Sequence, residues 1–595
     1  MSRLRFLFLS FQNNISLLQK RLTKKQFLFL SSILVGLSSG FVAVSLKLFV
    51  HEIFEFATHN RFSSYRFFYL LLPAIGILLS LVIIKRIFNN TIYKGLGQIH
   101  FSLSKRSSYI PRRSMLDQFL TSSVTVGFGG STGLEAPIVV TGAAFGSNFA
   151  KKYGLKYKER TLLLACGIAA GIAAAFNAPI AGVLFALEVL MVDIGINSFT
   201  LLIIAAATGA LVSKVVLNEG ILLSFILTES FNYWNLPFYI ILGLLSGFLA
   251  YYHSRMFSNL ERFFSIKLKT KFSRWIFSSI LLIILIAIFP PLFGEGYQSL
   301  KILALNNPLE LMHNSILFNE NSNEIIILIF IGLLVFLKSI ATAITIGGGG
   351  NGGSFAPSLF IGAYLGYFLA SLVNILKINS LPKTNFMMVG MAGILSGLYH
   401  APLTAIFLIA EITGGYGLMI PLMIVASISY LISRYLDPFP MDSKKLLIKG
   451  EALTADKDLN VLSGIKLEDY IERDFEHLHT NMSLGELVKI VSKSKRNIFP
   501  VIANQHLLVG LVLLDDIREV MFNELLYEDL KVFNLMREPE KTILNTDSMQ
   551  DVMQKFDESD AWILPVTENL KFEGFIAKSK LFSGYRKRLK DMNLD

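Results

Sequence analysis

Gly133-Leu134-Glu135-Ala136-Pro137 and Gly353-Ser354-Phe355-Ala356-Pro357 stand 220 residues apart, and each opens a long apolar run. Gly142 and Gly146 follow the first stretch as Gly362 and Gly366 follow the second, at the same offset. A second pair lies further along. Ala178, Pro179 and Glu188 match Ala401, Pro402 and Glu411 at an offset of 223, whereas Gly167, Ile168 and Gly171 match Gly393, Ile394 and Gly397 at 226, which implies a three-residue gap. Glycine, alanine, proline and an acid recur in the same order in both halves, so the chain reads as an internal duplication. Two related halves in a membrane protein are the mark of a transport fold, often with the halves inverted and the binding site at their junction.

The surroundings of these motifs are those of a membrane protein. Of 595 residues, 53% are hydrophobic and 16% charged, against about a quarter charged in soluble domains, and the mean hydropathy is +0.55. Apolar stretches near the 20 or so residues that a spanning helix needs begin near Phe27, Phe67, Ser198, Phe238, Trp275, Ile325, Phe386 and Met419. Segments 133–150, 166–191 and 355–376 are dense in Gly, Ala and Pro, which suits close packing or breaks within the bilayer. The net charge of +12 conceals a partition: residues 451–595 hold 19 basic and 26 acidic residues, and residues 1–450 hold 36 and 17. A basic, apolar body therefore precedes an acidic, polar tail. Arg3, Arg5, Lys20, Arg21, Lys24 and Lys25 precede the first span with no acid among them, which places the N-terminus in the cytoplasm.

The motif itself suggests a ligand. Proline is favoured at the first helical position, where its missing N–H costs nothing, and the preceding glycines let the backbone approach a ligand closely. Each stretch is expected to be a broken helix whose N-terminal amides are free, and such ends bind anions. One from each half would face a common site and strip an anion of water without a full positive charge to trap it.

Acids inside apolar runs are functional candidates by default, because an unpaired carboxylate there costs several kcal/mol. Glu188 and Glu411 occupy the same place in the two halves, and structural hydrogen bonding is the favoured role for both. Glu135 differs, since its counterpart is Phe355. A carboxylate beside free helix amides is itself an occupant of an anion site, so ionised Glu135 would compete with a halide and protonation would release it.

These residues, taken together, resemble the CLC family of chloride channels and chloride/proton exchangers, over about residues 28–440 and on into the tail. The family's G-x-E-G-P and G-x-F-A-P motifs are similar to the stretches around Glu135 and Phe355, and Phe176-Asn177-Ala178-Pro179 is similar to the lead into the helix that bears the inner proton glutamate. The resemblance implies an all-α polytopic membrane domain of two inverted repeats with broken helices, assembled as a homodimer in the plasma (inner) membrane with both termini cytoplasmic. It makes Glu135 the gating glutamate and Gly133, Leu134, Glu135, Ser354, Phe355 and Ala356 the anion-binding backbone. It also exposes departures. The loop that carries a serine ligand in the family corresponds to Gly95-Leu96-Gly97-Gln98-Ile99, with Leu96 at the serine position, and the pore tyrosine corresponds to Asp442. Val189 takes the place of the inner proton glutamate, beside Glu188. Apolar Val189 relays no proton, so passive, voltage- or pH-gated chloride conduction is the first expectation. Antiport with protons through a water-borne inner path is the alternative.

In the tail, Asn497-Ile498-Phe499-Pro500-Val501 and Gly510 parallel Trp562-Ile563-Leu564-Pro565-Val566 and Gly574 at offsets of 65 and 64. The repeat resembles a small α/β pair of cystathionine-β-synthase-type (CBS) modules. Asp516 stands where such modules hold a nucleotide ribose, but Leu513 takes the hydroxyl position and the second module has Ala577 and Lys580. Adenine-nucleotide binding is therefore poorly supported. The expected organisation is a basic segment 1–26, a transport domain 27–440 (repeats about 27–217 and 236–436), a linker 441–460 and a regulatory pair 461–595. No nucleophile elbow, P-loop or zinc spacing appears, so neither an enzyme nor a metal or cofactor site is expected, and the positive charge flanks membrane helices rather than forming a nucleic-acid footprint. A membrane-anchored sensor acting through the tail is the rival from another class; duplicated broken-helix motifs around an intramembrane glutamate argue against it.

Overall fold

The computed structural model describes residues 15–59, 68–89, 95–190, 196–217, 231–318, 323–413, 416–448, 462, 465, 467–503 and 506–594. Arg3 and Arg5 of the basic segment and most of the linker 441–460 lie outside the described residues. The chain divides into two compact units, Met1–Leu453 and Thr454–Asp595. Among the described residues the first unit carries nine helices long and apolar enough to cross a membrane, and it is a multi-pass membrane domain.

Among the described residues, sixteen of its α-helices fall into two series of eight. The first comprises α1 (Lys24–His59), α2 (Leu72–Arg86), α3 (Gly97–Lys105), α4 (Ser114–Gly127), α5 (Glu135–Lys152), α6 (Tyr157–Phe176), α7 (Pro179–Leu190) and α8 (Ile196–Leu217). The second repeats the order: α9 (Leu236–Lys267), α10 (Lys271–Ile288), α11 (Tyr297–Ala304), α12 (Glu324–Gly347), α13 (Phe355–Ile375), α14 (Lys383–Tyr399), α15 (Pro402–Ile412) and α16 (Met419–Leu436). The apolar stretch that begins near Phe386 is α14, whose residues 384–399 are all buried inside the protein; the buried face explains why it reads as a span.

The duplication shows in the packing. A side chain at Gly142 would run into the carbonyl of Gly167, one at Gly146 into that of Leu163, and the same collisions recur at Gly362 with Gly390 and Gly366 with Phe386. Helix pairs α5/α6 and α13/α14 thus approach backbone to backbone. The contacts also correct the alignment: Gly167 corresponds to Gly390 and Leu163 to Phe386, both at 223, the offset of the Ala-Pro pair. No three-residue gap separates the motifs, and Gly393 and Gly397 instead pack against Ser246 and Ser429.

The two repeats are inverted, and two sets of contacts fix this. Gly133 and Gly353 pair antiparallel, each N–H donating to the other's carbonyl at 2.9 and 2.8 Å. The other set is a reciprocal cap. Glu188, near the end of α7, accepts the N–H groups of Leu403 (3.0 Å) and Thr404 (2.7 Å) at the start of α15, while Glu411, near the end of α15, accepts those of Ile180 (3.0 Å) and Ala181 (2.8 Å) at the start of α7. Each carboxylate satisfies amides that no helix can satisfy internally, on a terminus that favours negative charge. Asn177 and His400, left-handed at φ +53° and +54°, end α6 and α14 immediately before the two Ala-Pro helices. His400 is therefore a cap residue, as its position before Ala401-Pro402 suggests.

The second unit contains two modules with separate cores around Phe499 and Val512 and around Val566 and Ile576. Strands β1 (Ile498–Ile502) and β2 (Leu508–Leu513) pair antiparallel, as do β4 (Ile563–Glu568) and β5 (Lys571–Ala577), with β3 (Ile543–Leu544) parallel to β4. The repeated Val-Gly residues are cross-strand partners in both hairpins, Val501 with Gly510 and Val566 with Gly574. The 65-residue repeat extends to the capping boxes of α17 (Leu484–Lys493) and α18 (Met549–Ser559), closed by Ser483 with Glu486 and Ser548 with Asp551. Arg496 (2.6 Å) and Lys580 (3.4 Å) converge on Glu472. Burial would raise that carboxyl, but the two cations outweigh it and hold it below its ordinary 4.5.

Two outcomes follow from this architecture. Replacing either Glu188 or Glu411 by Ala leaves two helix-start amides without their acceptor and should destabilise the protein by about 1 kcal/mol or more, seen as a lower melting temperature in detergent. For Glu472 the folded-state value lies below the unfolded one, so its contribution is complete above about pH 4.5 and is lost as pH falls. Calorimetry of the full chain should show an acid-induced loss in the tail that is smaller in Glu472→Gln.

Candidate anion site

The inverted pair Gly133 and Gly353 is where the two repeats meet, and a side chain would not fit at either position. A Cβ on Gly133 would lie 2.8 Å from that of Ala356, and one on Gly353 would lie 2.6 Å from that of Ala136. The Gly-rich loops are held from behind by α4: Asn351 donates its N–H to Thr125 Oγ1 (3.0 Å) and its side-chain amide to Gln118 (3.1 Å) and Thr121 (2.7 Å). Thr132 Oγ1 donates to the Gly353 carbonyl at 3.0 Å.

From this junction α5 and α13 start head to head, and neither N-cap residue, Leu134 or Ser354, caps its helix with its own side chain. Pro137 and Pro357 fall at the third helical position, not the first as the motif suggests. They still lie within the first turn, where an N–H would be unpaired, while Pro179 and Pro402 take the first position of α7 and α15. The structure therefore gathers Gly133, Leu134, Glu135, Ser354, Phe355 and Ala356 in one place, all buried.

Glu135 points across the junction. Its Oε2 accepts the Ala356 N–H at 3.4 Å and its Oε1 accepts the Tyr297 hydroxyl at 2.6 Å. Phe355 is enclosed by rings: Phe176 at 5.4 Å, Tyr399 at 5.7 Å and Phe185 at 6.0 Å between centroids. A cavity of about 830 Å³ opens on one side, with Glu135, Tyr297, Lys47 and Glu295 in its wall.

Leu96 and Asp442 lie close together. Leu96 is buried at the start of α3, and a Cβ on Gly97 would come within 3.1 Å of the Asp442 carbonyl oxygen. The phenol of Tyr399, whose ring packs 5.7 Å from that of Phe355, is within the electrostatic reach of both Asp442 and Glu135. Val189 belongs to α7, but its side chain lies outside the described residues; Glu188 caps α15. Asp516 pairs with Arg537 at 3.5 Å.

Four residues of the site escape a reading by motif: Tyr297, Glu295, Lys47 and Lys338. Lys338 is wholly buried, donates to the Gly294 carbonyl at 2.8 Å and stands 4.9 Å from the Phe360 ring centroid. A lysine in so apolar a run as α12 was a visible signal. Another was Gly294-Glu295-Gly296 before α11, which repeats the form of Gly95-Leu96-Gly97 before α3.

Two inverted repeats that aim helix N-termini at one buried point, with a carboxylate standing on an amide there, define a membrane protein built to pass anions. The chain belongs to the voltage gated chloride channel (CLC) family, whose model matches residues 75–434, and its tail carries a CBS domain, matched over residues 467–523. It is 26% identical over 427 residues to the H(+)/Cl(-) exchange transporter ClcA of Vibrio parahaemolyticus, covering 69% of this chain and 88% of that protein. It is 29% identical to the voltage-gated ClC-type chloride channel ClcB of Escherichia coli, over 53% of this chain and 72% of that one. Two solved structures share the fold at a TM-score of 0.60. A slow cyanobacterial Cl⁻/H⁺ antiporter is 22% identical and matches 72% of this chain and 98% of its own; a eukaryotic CLC transporter is 19% identical and matches 93% and 97%. Chloride transport across a membrane is thus this protein's work.

Because the two turns touch at Gly133 and Gly353, Gly353→Ala should wedge them apart. Chloride efflux from proteoliposomes is expected to fall about tenfold or more, the scale of a misplaced site, in protein that still elutes as a single folded species.

Proposed function

We propose that the protein conducts chloride passively through a pathway gated by Glu135, whose carboxylate competes with the anion for the amides around Leu134, Glu135, Ser354, Phe355 and Ala356. The observation that carries this reading is the Glu135 carboxylate on the Ala356 N–H at 3.4 Å, a helix-terminus position that suits a halide equally well. Protonation neutralises the carboxylate and weakens its hold on the amide, freeing it for the anion. At the far end of the pathway, where Leu96 and Asp442 offer no hydroxyl, Tyr399 supplies the phenol that meets the anion beside Phe355.

Passive conduction rests on Val189, which has no proton to relay. Proton-coupled exchange is the second reading, favoured by the exchange transporter of V. parahaemolyticus, of which this chain covers 88%. The reading includes a homodimer in the plasma membrane with both termini in the cytoplasm, supported by the basic N-terminal segment. Nucleotide control is not part of it, since Leu513 stands at the hydroxyl position and the second module has Ala577 and Lys580.

Chloride efflux from proteoliposomes, with internal pH followed at the same time and potassium clamped by valinomycin, separates the two mechanisms. Dissipation of the gradient without proton movement is the expected result; proton uptake against its gradient, driven by chloride, would replace the channel with an exchanger. Glu135→Gln should raise efflux at pH 7 by about tenfold, the effect of removing one buried competing charge. Efflux identical to wild type across pH would remove the gate from Glu135.

A further inference from the structure

The junction holds a second carboxylate. Glu295 Oε1 accepts the N–H of Leu134 at 3.1 Å, one of the amides that the motif assigns to the anion. The two acids stand crosswise: Glu135, from the first repeat, sits on the Ala356 amide of the second, and Glu295, from the second repeat, sits on the Leu134 amide of the first. Each thereby occupies the helix terminus of the opposite repeat.

The origin of this acid lies in the duplication. Gly294-Glu295-Gly296 leads into α11 as Gly95-Leu96-Gly97 leads into α3, and Gly294 and Gly95 share a left-handed backbone, φ +68° and +73°. Inversion puts one loop beside Asp442 and the other beside Leu134. Glu295 is therefore the repeat counterpart of Leu96, an acid where the other end of the pathway has an apolar side chain.

Charge balance gives the acid a task. Lys338, bonded to the carbonyl just before Glu295, and Lys47, in the wall of the same cavity, are the cations whose fields reach it. Two carboxylates face two ammonium groups, with the Tyr297 hydroxyl on Glu135. Entry of a chloride adds a third negative charge, and like charges at close range in a poorly solvated site are not tolerated without a proton. Glu295 opens on the cavity, so protons reach it. His51, Glu310 and His313 also line that cavity.

We propose that Glu295 is a second gate carboxylate, which must also be neutralised or leave the Leu134 amide before an anion fills the site. The inference rests on the assignment of Glu135 as the first. A purely capping Glu295 would affect stability and leave the pH profile unmoved.

Chloride efflux from proteoliposomes of the full chain, measured between about pH 5 and pH 8 where a coupled carboxylate pair titrates, decides this. Glu135→Gln should raise efflux at pH 7 yet still accelerate about threefold on acidification, carried by the remaining carboxylate. E295Q should show an altered profile with Glu135 intact, and only the double variant should be flat. A flat profile in Glu135→Gln alone, or an E295Q profile superimposed on wild type, overturns the proposal. Efflux at pH 7 in Glu135→Gln equal to wild type sinks the Glu135 gate instead, so the two failures are distinguishable. If E295Q does not fold, Glu295→Gln combined with Lys338→Met removes the acid together with its buried cation and carries the same comparison.

Discussion

The pair of backbone hydrogen bonds between Gly133 and Gly353 is the constraint on which the membrane domain depends. It joins the two repeats at a point where no side chain fits, and it fixes α5 and α13 head to head. Everything that follows for an anion comes from this geometry: helix termini in hydrocarbon have unpaired amides, and a bilayer offers no water to satisfy them. The protein satisfies some with acids of its own, and those acids are the groups an anion has to displace.

The same logic appears twice. At α7 and α15 the capping carboxylates Glu188 and Glu411 are paired symmetrically and bind two amides each, which suits a permanent structural bond. At α5 and α13 the capping is asymmetric, one amide to each carboxylate, with a cavity beside them and lysines behind them. Identical physics gives a fastening in one place and an exchangeable contact in the other, because the number of donors and the access to water differ.

Several features are legible in the chain itself. The acidic tail and basic body, the duplicated G-x-x-A-P motifs, the solitary Glu135 opposite Phe355 and the repeated hairpins of the tail each follow from residue type and spacing. The register of the second motif pair was not legible: Gly167, Ile168 and Gly171 all find identities at 226, and only the facing carbonyls of Gly167 and Gly390 show that the true offset is 223. The Gly-Glu-Gly form around Glu295 could be seen in the chain, but its partner could not, since an acid between two glycines reads as a loop residue until the fold brings it to the Leu134 amide.

Composition and periodicity alone determined that this is a two-part membrane protein with an internal repeat and amides prepared for an anion, because burial in lipid restricts which residues can be there. Which acids meet those amides was decided only by tertiary structure. Glu135 and Glu295 are 160 residues apart in the chain, and no local rule connects them. Inversion of one repeat against the other does, by carrying each carboxylate to the helix terminus of the opposite half.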